Sequence, residues 1–208
     1  MNIIANDCTG GFIYRDILST SYKNPFIFSR TFLDDFIYLL KHFNELNFTK
    51  FNLCESTPFK YYIRVDDAIN IQYNHYKFDP TAAELRKEPP NVYYSKIWEY
   101  IVNKYIERTR RMTEPPIFIG HFDYGQLGEW DPTMSIDKVN SFVNLCHQLN
   151  QPALILSELP IESYDSDTVK IVRFKRIKLD GNRYVHIVDV LRDEIVNKLQ
   201  ELSDKVRL

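Results

Sequence analysis

The stretch from Ile117 to Leu156 constrains the fold more than any other part of the chain. Ile117-Phe118-Ile119 is a short apolar run that reads as a buried strand ending at Gly120-His121-Phe122-Asp123. A helical segment capped by Ser135 follows to about Leu149, and Ala153-Leu154-Ile155-Leu156 is a second buried run. Strand, helix and strand in that order predict a parallel pair, because a second strand can lie in the same direction only after a crossover. Apolar strands of this kind need cover on both faces. The expected class is therefore α/β and three-layered, a mostly parallel or mixed sheet with helices on both faces. A length of 208 residues suits a single domain spanning 1–208.

The rest of the chain fits that frame. Asn2 to Ala5 is apolar and ends at a polar turn, as a buried first strand would, and Phe12 to Leu18 has helical spacing. Thr31, with Asp34 and Asp35 in the following turn, predicts the start of a helix through Phe36, Leu39, Leu40 and Phe43. Tyr61–Val65 and Ile69–Tyr73 read as strands around an Asp66-Asp67 turn, and Asp79-Pro80 opens a short helix to Arg86. Tyr93 to Met112 is the longest helical segment and becomes basic at Arg108-Thr109-Arg110-Arg111. Val169–Phe174 alternates like an edge strand, Tyr184–Val188 reads as one more strand, and Asp189–Val206 as a closing helix.

Charge and cysteine usage narrow the function. A net charge of −2 provides no broad electrostatic grip on nucleic acid, so none is expected as a partner. No apolar run has the length of a membrane span, so stable membrane insertion is not expected. The Met1–Asp7 opening lacks the basic region and apolar length of a secretory signal. Cys8, Cys54 and Cys146 form no CxxC pair and no zinc pattern, so free thiols in a reducing, cytoplasmic setting are expected, with no metal and no cofactor.

Chemistry-bearing residues gather in turns that follow predicted strands, which in parallel sheets is where sites form. The first is Asn6-Asp7-Cys8-Thr9-Gly10-Gly11. A thiol at a helix start has a lowered pKa, and the Gly10 and Gly11 amides could face an oxyanion; a small buried cysteine in a tight turn is the plainer alternative. His75, followed by Tyr76, is the expected base for Cys8, or else an ordinary surface histidine. His121 and Asp123, two residues apart in an extended segment, would face one side and suit a His–Asp pair or two metal ligands, too few by themselves for a metal site, or else decorate a polar loop. Cys8, His75, His121 and Asp123 are thus the expected catalytic residues. Asn6, Asp7, Thr9, Gly10, Gly11, Arg15 and Tyr76 are the expected contacts to a small-molecule or glycan substrate. Aromatic residues, 14% of the chain, suit sugar sites as well as cores. The arginines at 108, 110 and 111 suit either an anion or a solvated helix end.

Asn6-Asp7-Cys8-Thr9-Gly10-Gly11-Phe12-Ile13-Tyr14, then Asn24-Pro25-Phe26, then Asp34-Asp35-Phe36-Ile37-Tyr38-Leu39-Leu40, resembles the opening of a bacterial family of unknown function. Its members are often labelled exopolysaccharide or capsular polysaccharide biosynthesis proteins. Their opening usually reads Asn-Cys-Trp-Gly-Gly, with a Ser-Pro-Phe segment after it. His75-Tyr76-Lys77 is similar to the family's His-Tyr motif, and Arg108–Arg111 before Ile117 to its Arg-rich stretch. Thr9 stands where the family typically has Trp, and the Pro89-Pro90 stretch is an insertion. A fainter likeness is to papain-like cysteine peptidases. The resemblance implies a hydrolase or transferase of polysaccharide or glycoconjugate biosynthesis using a Cys8–His75 pair, or a non-catalytic glycan- or partner-binding protein of such an assembly system.

Overall fold

The computed structural model describes residues 1–20, 22–27, 29–57, 60–73, 90–127, 130–175, 178–179, 183–184 and 187–206. Its centre is a parallel sheet of β1 (Asn2–Ala5), β5 (Pro116–Phe122), β6 (Ala153–Ser157) and β7 (Val169–Arg173), ordered β1-β5-β6-β7. Ile119 lies opposite Ala5 on one side and Leu154 on the other, all in parallel register. The expected βαβ unit is present, with the helix Ile136–Gln148 between β5 and β6 and Ser135 accepting a hydrogen bond from the Lys138 amide.

A second sheet is antiparallel and joins β2 (Phe51–Thr57), β3 (Lys60–Val65) and β4 (Ile69–Gln72). The β3–β4 connection is Asp66-Asp67-Ala68, closed by the Ala68 amide donating to the Val65 carbonyl at 2.9 Å; Asp66 and Asp67 have positive φ, at 50° and 57°, which aspartate tolerates. β4, the strand that precedes His75 in the sequence, thus belongs to this hairpin sheet and not, as expected, to the parallel one. A short β8–β9 pair, Lys178–Leu179 with Arg183–Tyr184, stands apart.

The helices are α1 (Thr9–Phe12), which runs into a π-helical turn at Ile13–Ile17, then α2 (Leu33–His42), α3 (Pro90–Arg110), α4 (Ile136–Gln148), α5 (Ile187–Val190) and α6 (Arg192–Val206). They cover both faces of the parallel sheet, as period-two alternation requires. Ile4, Phe118, Ile155 and Ile171 face a core with Phe36 and Leu39 of α2, Ile101 and Tyr105 of α3 and Phe142 of α4, to which Ile63 and Ile71 of the hairpin sheet also contribute. Ile3, Ile117, Ile119, Leu154 and Val172 face a second core with Ile13, Tyr14 and, from α6, Ile195, Leu199 and Leu202. The fold is thus α/β with helices on both faces. Boundaries differ from expectation in two places: the cap of α2 is Phe32 rather than Thr31, and the expected strand at Tyr184–Val188 is the end of β9 at Tyr184 and the start of α5 at Ile187. The expected short helix to Arg86 lies outside the described residues. No helix among the described residues is long and apolar enough to cross a membrane.

Candidate functional site

The carboxyl ends of β1 and β5 lie side by side, and their ladder is prolonged by one side chain. The Asn6 amide N–H donates to the Ile119 carbonyl at 3.2 Å. Asn6 Oδ1 then accepts from the His121 backbone N–H at 2.8 Å, while its Nδ2 donates to the His121 carbonyl at 3.0 Å. A buried primary amide engaged on both ends cannot rotate without leaving backbone groups unpaired. Asn6 therefore clamps His121 to the strand end and fixes where Asp7 stands relative to it. His121 lies within β5 rather than in a loop after it, and it points to the same face as Ile117 and Ile119.

Asp7 and His121 form the centre of the site. Asp7 Oδ2 is 2.6 Å from His121 Nδ1, and Gln126 Nε2 donates to the same carboxylate oxygen at 3.0 Å. The other oxygen, Oδ1, accepts the Thr9 amide at 2.9 Å, and Thr9 Oγ1 lies 3.2 Å from His121 Nδ1. Burial works to raise the Asp7 pKa, but the charge of His121, its hydrogen bond and those of Thr9 outweigh it and hold the carboxyl well below the ordinary carboxylate range. An ionised carboxylate can only accept, so Nδ1 carries the proton and Nε2 is the nitrogen turned the other way. Nε2 lies 3.9 Å from Asp123 Oδ2, which places the imidazole between two carboxylates. The His121 and Asp7 side chains are only 11% and 12% exposed, and that of Asp123 10%. Phe174 stacks on the imidazole at 5.8 Å between ring centres and keeps it in plane.

The loop after β5 supplies the remaining contacts to this cluster. Asp123 Oδ1 accepts the Gln126 amide at 2.9 Å, a turn that aims the Gln126 side chain back at Asp7. The Gln126 carbonyl accepts the Asp131 amide at 3.1 Å. Buried Asp131 in turn accepts the Leu33 amide at 2.7 Å, capping α2, and the Thr133 hydroxyl at 2.6 Å. Gln126 and Asp131 have no sequence signature beyond the Asp131-Pro132-Thr133 turn, and their importance appears only with this loop in place.

Cys8 differs from its expectation. Its thiol points at the Ser29 carbonyl, 3.9 Å away, and is half-buried. Burial, then the Asp7 carboxylate beside it, push the thiol up to about 12, offset only in part by Arg30. The helix start that was to acidify it is four residues long and follows an ionised aspartate, so the nearer charge prevails. The Gly11 amide already donates to the Cys8 carbonyl at 3.0 Å. Gly10 has a packing role, since a Cβ there would stand 2.9 Å from the Ala5 Cβ.

Of the other expected contacts, Arg15 is exposed, paired with Asp16 at 2.6 Å and set over the Phe12 ring. His75 and Tyr76 lie outside the described residues. All three cysteines are free thiols. Among the described residues no group of three or more His, Cys, Asp or Glu side chains could hold a metal ion.

Residues 1–88 match a family described as a domain of unknown function, DUF1919. The match includes Asn6, Asp7, Cys8 and Thr9 and ends before β5, so His121, Asp123 and Gln126 lie beyond it. No curated protein and no solved structure matches the chain.

Proposed function

We propose that this chain is an acid–base enzyme, a hydrolase or transferase acting on a polysaccharide or glycoconjugate, with His121 as its proton-handling group and Asp7 holding the imidazole in its working tautomer. The observation that carries the reading is the 2.6 Å Asp7–His121 contact at the carboxyl edge of a parallel sheet, where α/β proteins place ligands. A buried carboxylate on Nδ1 directs proton transfer to Nε2, and Asp123 beside Nε2 favours the protonated ring that forms when His121 accepts a proton. His121 would take the proton of an attacking hydroxyl or water and return it to the leaving group. The polysaccharide class is supported by the resemblance of the opening motif and by Tyr124 and Trp130, which are 56% and 57% exposed near the site.

The test is a screen of the purified chain against oligosaccharides, glycosyl esters and sugar phosphates, followed by substitution. His121→Asn and Asp7→Asn should each lower turnover by about 10²–10⁴-fold with an unchanged circular dichroism spectrum. Undiminished turnover in His121→Asn would remove the reading.

A nucleophilic Cys8 is the narrower version, with its thiol losing a proton to a base as substrate binds. A thiol pushed up to about 12 is protonated at neutral pH, so its iodoacetamide alkylation should be slower than that of a free cysteine. Full activity in Cys8→Ser would leave the acid–base pair to act on water or a substrate hydroxyl. Loss of activity in a folded Cys8→Ser would make the thiol the nucleophile.

A further inference from the structure

We infer that Arg30 and Trp130 form an anion-recognising subsite at the rim of the Asp7–His121 site, built for the carboxylate or phosphate of an acidic saccharide. The inference deepens the acid–base reading of the same site and rests on it.

Arg30 is fixed by backbone on both sides. Its amide and carbonyl each pair with Gln72 of β4 at 2.8 Å, and the next residue, Thr31, donates its amide to the Asn6 carbonyl at 2.8 Å. The preceding carbonyl, that of Ser29, receives the Cys8 thiol. The segment 29–31 therefore runs between the hairpin sheet and the Asn6–Cys8 turn, with Arg30 at its middle. Trp130 comes from the loop after β5. Its neighbour Asp131 is bound to the Gln126 carbonyl, and Gln126 binds Asp7. The Arg30 guanidinium sits 5.0 Å from the centre of the Trp130 ring and so joins the segment 29–31 to the loop after β5.

This placement leaves a cation to be used. Among the described residues no carboxylate lies within ion-pair distance of Arg30. Asp7, the nearest acid along the adjoining turn, is already engaged by His121, Thr9 and Gln126. An arginine stacked on an aromatic face keeps its edge donors for a planar or tetrahedral anion. The site otherwise presents Asp7 and Asp123 against a single histidine, a balance that repels anions. A positive group at the rim is what an acidic substrate would need to approach those carboxylates. Trp130 and Tyr124, 57% and 56% exposed on the loop of Asp123 and Gln126, offer apolar faces suited to the C–H faces of sugar rings.

The experiment uses the full chain with Trp98→Phe, so that Trp130 supplies the only indole N–H signal in a ¹⁵N-correlated spectrum. The probes are inorganic phosphate, a glucuronate-containing tetrasaccharide and neutral maltotetraose. A saturable shift of the Trp130 signal with an acidic probe, weakened at least about tenfold in Arg30→Gln and less in Arg30→Lys, supports the subsite. A response to phosphate but not glucuronate assigns a phosphoryl group, and the reverse a sugar carboxylate. No response to either acid, equal binding of maltotetraose, or binding unchanged in Arg30→Gln overturns it. Binding is also measured in His121→Asn, so the subsite fails or stands separately from the proton-transfer role of His121.

Discussion

The two ends of the β1–β5 pair both carry polar clusters, and they are built differently. At the amino end, buried Asn24 donates to the Asn2 side chain at 2.8 Å and accepts the Phe26 amide at 3.0 Å, while Asn2 donates to the Glu114 carbonyl at 2.8 Å. The charges there lie farther out, with Glu114 bound to the Met1 amino group at 2.7 Å and to Lys23 at 2.9 Å. Neutral amides are buried and ions are left near water, the arrangement that costs least. The carboxyl end reverses this. Asp7, His121 and Asp123 are buried and titratable, and a neutral amide, Asn6, serves only to hold them. Burial of polar groups marks both ends, and the amino end also holds the Tyr14 phenol against the Ile3 amide, but only the carboxyl end buries a carboxylate–imidazole pair, the kind of cluster that marks a candidate site.

Substitutions should separate the two ends in kind. At the carboxyl end, Asp7→Asn is expected to remove about 10²–10⁴-fold of turnover. At the amino end, Asn24→Ala should leave turnover per folded molecule unchanged. It orphans the Phe26 amide and its acceptors at Asn2 and Ile3, and should cost about 2–4 kcal/mol in a denaturant titration. A folded Asn24→Ala with lost activity would erase the distinction.

Gly10→Ala probes the packing that brings the Asn6–Gly11 turn onto β1. The added methyl meets Ala5 at 2.9 Å and should cost ~1–3 kcal/mol, part of it recovered by Ala5→Gly in the same chain. Additive losses in the double variant would show that the contact is not the cause.

The two ends also differ in acid. The Asp7 pKa is depressed in the folded state, so its contribution is present above the ordinary carboxylate pKa and is lost as pH falls through the folded value. The Asp7 contribution should therefore decline below about pH 4, with a shallower acid decline in Asp7→Asn. Glu114 is lowered to about 2 by the Met1 amino group and Lys23 and has the same sign, but it is half-exposed and screened. Glu114→Gln should cost under about 1 kcal/mol and leave most of the acid limb in place. An acid limb set by Glu114 rather than Asp7 would invert the comparison.

Much of the fold was legible because its signals are local. The apolar runs of β1, β5 and β6 and the Ser135 cap of α4 give a parallel α/β sheet without knowledge of distant contacts. β2 has no clear local signal because Phe51-Asn52-Leu53-Cys54-Glu55 interleaves Asn and Glu, which strands disfavour, and its place is set by pairing with β3. The π-helical turn at Ile13–Ile17 has no spacing that distinguishes it from an α-helix. His121 and Asp123 were legible as a pair facing one side. The closer partner of His121 was not, because Asp7 lies far away in sequence and meets it only once β1 pairs with β5. The direction of the Cys8 shift was hidden for a related reason: the helix start is visible in the sequence, but the weight of burial and of the adjacent Asp7 charge depends on the fold.

The tautomer of His121 tests the central claim most directly. Long-range ¹H–¹⁵N correlation of the histidine rings, with His121 assigned by its absence in His121→Asn, reads which nitrogen holds the proton. The account predicts that the neutral ring carries it on Nδ1, facing Asp7, and that Asp7→Asn abolishes this preference. A neutral His121 protonated on Nε2, or a ring indifferent to Asp7→Asn, would contradict it.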